Sequence, residues 1–134
     1  MPIAQMVLIS HQPAPAGMVS DPVAVTYLDP TWDQIKDAIR AMNETKFMVL
    51  LSSRMDVDAP SDPDALAIEF GEGHGYMLYQ QALHTEIRKS AWRTRSTANV
   101  LVPSDITIGV VLQIAAAYRN GLDFDLIDQK FPGV

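Results

Sequence analysis

Glu72 and His74 stand either side of Gly73 in the stretch GEGHG, and His84 follows further along. A carboxylate and an imidazole held in a glycine loop could serve as general base and orienting partner. The chain has no HExxH, CxxC, nucleophile elbow or Walker-type loop to reinforce that chemistry. GEGHG leads into a strand pattern, GYMLYQ, so a phosphate there would gain no helix N-terminus. The plainer reading of both histidines is a pair of solvated polar residues. A metal site would have to gather His74, His84 and an acid from the segment Asp56 to Asp64, because no two histidines share a helix face at i, i+4. The plainer reading of those aspartates is a loop kept soluble by charge. Arg88, Lys89, Arg93 and Arg95 surround Trp92 in a local basic patch, read as a solvated face with the indole half-buried. Tyr76, Tyr79 and Trp92 are candidate interface anchors, since amphipathic aromatics give contact area with few rotors to freeze.

The elements that must position these groups centre on LAIEFGEGHGYMLYQ, Leu66 to Gln80. Leu66, Ile68 and Phe70 alternate on one face of a first strand, and Tyr76, Leu78 and Gln80 on one face of a second. Pairing Phe70 with Tyr76 and Ile68 with Leu78 predicts a hairpin whose larger apolar groups share a face. Tyr79, Met77 and Glu69 then fall on the other face, open to a helix or a partner.

Prolines at 2, 13, 15 and 22 predict an irregular leader over 1–22, with a short edge strand at most, and a single α+β domain over 23–134. Val23 to Leu28 reads as a strand. Thr31 and Gln34 form a capping-box pattern ahead of a helical stripe through Trp32, Ile35, Ala38, Ile39 and Met42. KFMVLL, from Lys46, reads as a strand covered on both faces. SRMDVDAPSDPD, Ser53 to Asp64, has little to bury and reads as a mobile loop. Gln81 to Ser96 fits either a helical stripe through Leu83, Ile87 and Ala91 or short strands. Thr97 to Val102 reads as a further strand. A second helix, capped by Ser104 or Asp105, runs from Ile106 through Tyr118 and stops at Asn120 and Gly121. Its apolar surface is broad enough to be deeply buried or to pack against another chain. The tail after Gly121 alternates acidic and apolar residues and suits an edge strand or a docked extension. The expected fold class is α+β, a mostly antiparallel sheet with a central hairpin and two main helices packed on it.

The formal charge is −6, from ten basic and sixteen acidic residues, which opposes a phosphate backbone and favours basic partners. Direct nucleic-acid binding is not expected. With no cysteine the chain can hold neither disulfides nor thiolate metal sites. No run reaches membrane-spanning length and the start lacks a secretory pattern, so a cytoplasmic protein is expected.

DPTWDQIKDAIRAMNETKFMVLL, the glycine-rich hairpin and VLVPSDITIGVVLQIAAAYRNG, in that order, resemble the immunity-protein-one family of bacterial polymorphic-toxin systems over Tyr27 to Ile127. The resemblance implies a small acidic α+β domain that binds and blocks a cognate toxin, such as a nucleic-acid deaminase or nuclease, with no catalysis of its own. Charge and aromatic character, not the resemblance, select the expected contact residues: Asp56, Asp58, Asp62, Asp64, Glu72, His74, Tyr79, Asp123, Asp125 and Asp128. No catalytic, cofactor-binding or metal-binding residue is assigned. The alternatives are a self-associating adaptor, homodimeric through the Ile106–Tyr118 helix, and, ranked last, a small enzyme using Glu72 and His74.

Overall fold

The computed structural model describes residues 3–11, 22–71, 75–83, 100–101, 107–121, 124 and 126–127. They form an antiparallel sheet of six strands: β1 (Gln5–His11), β2 (Pro22–Leu28), β3 (Lys46–Ser52), β4 (Leu66–Gly71), β5 (Gly75–Gln80) and the two-residue β6 (Val100–Leu101). Their order is β2-β1-β3-β4-β5-β6. Helix α1 (Trp32–Arg40) lies between β2 and β3 in sequence, and α2 (Ile108–Arg119) follows β6. This is the expected α+β class.

The β4–β5 hairpin has the register its alternation predicts, with Ile68 opposite Leu78 and Phe70 opposite Tyr76. Phe70 and Tyr76 meet edge to face at 5.2 Å. Alternation then sorts the inner strands into two apolar faces. Met6, Val49, Leu51, Leu66, Ile68 and Leu78 pack with Ile35 and Ile39 of α1 and with Val111, Ile114 and Tyr118 of α2. On the opposite face Val7, Met48, Leu50, Ala67, Met77 and Tyr79 form a second buried cluster with Ala59. Met48 to Leu51 are all buried, as a strand covered on both faces must be.

The α1 capping box is complete. The Thr31 hydroxyl accepts from the Gln34 N–H (3.1 Å) and the Gln34 side chain accepts from the Thr31 N–H (2.8 Å). The α2 cap corrects the sequence reading. Thr107, extended at φ −89° and ψ 163°, accepts from the Val110 N–H, so the helix starts at Ile108. Gly121, at φ 93°, takes the left-handed conformation that ends the helix.

A larger correction concerns the leader. Gln5–His11 is an inner strand, paired to β2 on one side and β3 on the other, and Ile3, Met6 and Val7 are buried. None of the prolines that suggested irregularity falls within β1 in the sequence, and Pro22 stands opposite His11 as the first residue of β2, a position where a strand tolerates proline. Residues 12–21, read as linker, lie outside the described residues, as do 84–99 and the end of the tail. Nor is Ser53 to Asp64 a loop with nothing to bury, because Ala59 and Asp62 are fully enclosed. The apolar surface of α2 is used largely within the chain: Val111, Ile114, Ala115, Ala117 and Tyr118 are buried, while Ile108, Gly109 and Gln113 are exposed. Val110, Leu112 and Ala116 are half-buried along the same helix. Among the described residues no helix is long and apolar enough to cross a membrane.

Candidate functional site: an acidic loop on buried anchors

Ser53 to Asp64 joins β3 to β4 at the sheet end where Gln5 pairs with Leu28 and with Ser52. Its backbone must bend repeatedly, and bent backbone near a core needs partners for its carbonyls and amides. Gln5 supplies three. Its amide nitrogen donates to the carbonyls of Arg54 (2.7 Å) and Val57 (2.6 Å), and its carbonyl oxygen accepts from the Ala59 N–H (3.2 Å). These bonds span about fifty positions of sequence and fasten the loop to an inner strand.

Asp62 is the second anchor. It is 0% exposed, accepts from the Ser52 hydroxyl (2.6 Å) through Oδ2, and accepts from the Asp64 N–H (3.0 Å) through Oδ1. Arg54 Nη1 lies 3.9 Å from Oδ1, which partly balances the buried charge. The Ser52 hydroxyl also accepts from the Arg54 N–H (3.1 Å). From α2, the Tyr118 hydroxyl donates to the Asp64 carbonyl (2.8 Å). Burial, together with the nearby charges of Asp62 and Asp64, pushes the Tyr118 phenol up to about 12.

These anchors hold three carboxylates outward: Asp56, Asp58 and Asp64 are exposed. Asp56 is engaged by Arg54 through Nε (2.9 Å) and Nη2 (2.5 Å). That charge-assisted pair lowers the Asp56 carboxyl below its ordinary range and raises the guanidinium of Arg54. Asp64 accepts from the Gln80 amide (2.9 Å). Met55 projects among these acids at 63% exposure.

No protein family, curated protein or solved structure matches this chain.

Of the ten expected contact residues, Asp56, Asp58 and Asp64 are exposed on this loop, Asp56 paired with Arg54 and Asp64 bonded to Gln80. Two are corrected. Asp62 faces inward, where its hydrogen bonds shape the loop. Tyr79 is 1% exposed and its hydroxyl donates to Glu69, because the sheet face opposite the helices is covered rather than open. Glu72, His74, Asp123, Asp125 and Asp128 lie outside the described residues. Among the described residues no group of three or more metal-ligating side chains is placed to hold an ion.

Sequence reasoning missed Gln5, Ser52 and Met55. Gln5 sat in the supposed leader, and Ser52 ended a strand with no sign of a partner. Met55 alone carried a signal, being the largest apolar residue in a stretch rich in acids, prolines and small groups.

Proposed function

We propose that this protein is a non-enzymatic inhibitor that binds a basic protein, in the reading of an immunity protein a nucleic-acid-acting toxin, and blocks its active face. The observation that carries the proposal is the fastened acidic loop. Asp56, Asp58 and Asp64 project from a backbone held by Gln5, Asp62 and Tyr118, so little ordering entropy is lost when a partner docks. A toxin that grips phosphates must display lysine and arginine, and opposite charge steers such a face onto the loop. Met55, exposed in the same loop, adds apolar contact area beside the acids.

The test is association with a basic, nucleic-acid-acting toxin domain, sought among the proteins encoded next to this one, measured by stopped flow across a salt series. The expected result is an association rate that falls steeply with ionic strength and drops roughly tenfold or more in the combined variant Asp56→Asn, Asp58→Asn, Asp64→Asn. Met55→Ala should instead speed dissociation. A complex that forms at the same rate with the loop neutralised would overturn the role of this surface.

A further inference from the structure

Three asparagines stand in the chain, each before a different residue: Asn43 before Glu44, Asn99 before Val100 and Asn120 before Gly121. The backbone nitrogen that follows an asparagine can attack the side-chain carbonyl carbon, and a side chain on the following residue obstructs that approach. Gly121 has none. Asn99 lies outside the described residues. Asn43 is held in place, because its Oδ1 accepts from the N–H groups of Thr45 (2.9 Å) and Lys46 (2.8 Å). Asn120 is exposed at the C-terminal cap of α2, and Gly121 beside it is exposed too.

The cap conformation controls this chemistry. Asn120 has φ −82° and ψ 3°, its N–H donates to the Ala116 carbonyl (3.0 Å), and the Gly121 N–H donates to the Tyr118 carbonyl (3.0 Å). At that ψ the Gly121 nitrogen lies beside the nitrogen of Asn120 and away from Cβ, so a five-membered ring cannot close. Its proton is also engaged. Both obstacles vanish when the last turn of α2 unwinds, and a helix end opens at much lower cost than the whole fold.

We propose that Asn120 is a site of spontaneous deamidation, guarded by the α2 cap and converted to aspartate and isoaspartate when that cap opens. The Gly121 nitrogen gives its proton to solvent base and bonds to Asn120 Cγ. The bond from Cγ to the side-chain nitrogen breaks, and ammonia leaves after taking a proton from water. Water then opens the cyclic imide. Cleavage between the ring nitrogen and Cγ gives aspartate, and cleavage between that nitrogen and the backbone carbonyl carbon gives isoaspartate. The net change is amide and water to acid and ammonia, with no oxidation or reduction.

Both products work against the cap. Aspartate places a negative charge at the negative end of the α2 dipole. Isoaspartate inserts a methylene into the main chain between Asn120 Cα and the Gly121 nitrogen, so the Gly121 N–H loses its placement on the Tyr118 carbonyl. The chain just beyond belongs to the core. Phe124 meets the Tyr118 ring at 5.7 Å between centroids, and Ile127 is buried. A longer main chain at Asn120 loosens that packing.

The full chain, aged in mildly alkaline buffer with and without urea, tests this by mass spectrometry of tryptic peptides against an unaged control. The peptide Asn120 to Lys130 should gain the mass of amide-to-acid conversion sooner than the peptides carrying Asn43 or Asn99. Conversion in the folded protein should be measurable but slower than in urea by roughly tenfold or more. An isoaspartate-specific methyltransferase should label the aged wild type and leave aged Asn120→Gln unlabelled, since glutamine would have to close a larger ring. The aged wild type should also unfold at a lower urea midpoint than the unaged protein, whereas Asn120→Gln should hold its midpoint. Equal rates in the folded and unfolded chain overturn the proposal, as does an amide that stays intact in the folded protein. Conversion confined to Asn43 or Asn99, or an aged wild type with an unchanged midpoint, overturns it as well. No readout involves a binding partner, so this inference can fail while the acidic loop stands.

Discussion

The segment Ser53 to Asp64 and the strand Pro22 to Leu28 invert the usual assignment of inside and outside. The first, with four aspartates and two prolines, is fastened into the molecule by a buried glutamine, a buried aspartate and a tyrosine hydroxyl. The second, made of β-formers without one charge, is exposed along its whole length. Composition alone would exchange the two. Position decides instead: an outermost strand that α1 borders without covering keeps its side chains in solvent, whereas a loop crossing the end of a doubly covered sheet must place its backbone against the core. Once there, each enclosed polar group needs a partner, and those partners fix the loop.

The contrast predicts that single substitutions cost far more in the polar segment than in the apolar one. Asp62→Ala should give the largest effect. It strips the Ser52 hydroxyl and the Asp64 N–H of their acceptor in an enclosed site, and should cost about 3 kcal/mol in denaturant unfolding. Asp62→Asn should recover part of that loss, because its carbonyl can still accept from the Asp64 N–H. If Asp62→Ala unfolds at the wild-type midpoint, the loop is not held from within and the comparison fails.

Tyr118→Phe should come next, at about 1 kcal/mol, since it leaves the Asp64 carbonyl unmet and removes the hydroxyl that Ser53 also bonds, while keeping the ring in place. This position also carries a pH signature. The folded phenol sits at about 12, above its ordinary value near 10, so the fold favours the protonated form. Its contribution is complete below about pH 10 and is lost as pH rises through about 12. Urea midpoints followed over that window should fall in the wild type, and the fall should be smaller in Tyr118→Phe.

Local signals were legible in the sequence wherever pattern and partner are close in the chain. The Thr31–Gln34 box, the hairpin register and the doubly covered strand at Met48 to Leu51 are read directly, because each depends on neighbours a few residues apart or on strict alternation. What escaped is long-range. Insertion of β1 between β2 and β3 depends on strands distant in sequence, and Gln5 gains its role only from that placement. The same holds for the site. Exposed acids were found by charge, but separating Asp62 from Asp56, Asp58 and Asp64 required knowing where Ser52 lies. Tyr79 shows the complementary error: its parity was read correctly as opposite Phe70 and Leu78, and only the second core reveals that this face is closed. Tyr118 was read as one more apolar position in a stripe, although an enclosed phenol must find an acceptor.

The smallest effect belongs to the strand, and it is the sharper half of the comparison. Leu28→Ser removes a large apolar side chain from an outermost strand, a change that in the core would open a cavity and cost several kcal/mol. Leu28 is 64% exposed and belongs to neither buried cluster, so little transfer energy is recovered in the fold and none of the surrounding packing collapses. It stands opposite Gln5 in the register, and that placement does not depend on the side chain. The unfolding free energy of a dilute sample should therefore stay within about 0.5 kcal/mol of wild type. A loss of core size would mean that Leu28 is covered in solution, and the contrast between a fastened acidic loop and an open apolar edge would have to be redrawn around whatever covers it.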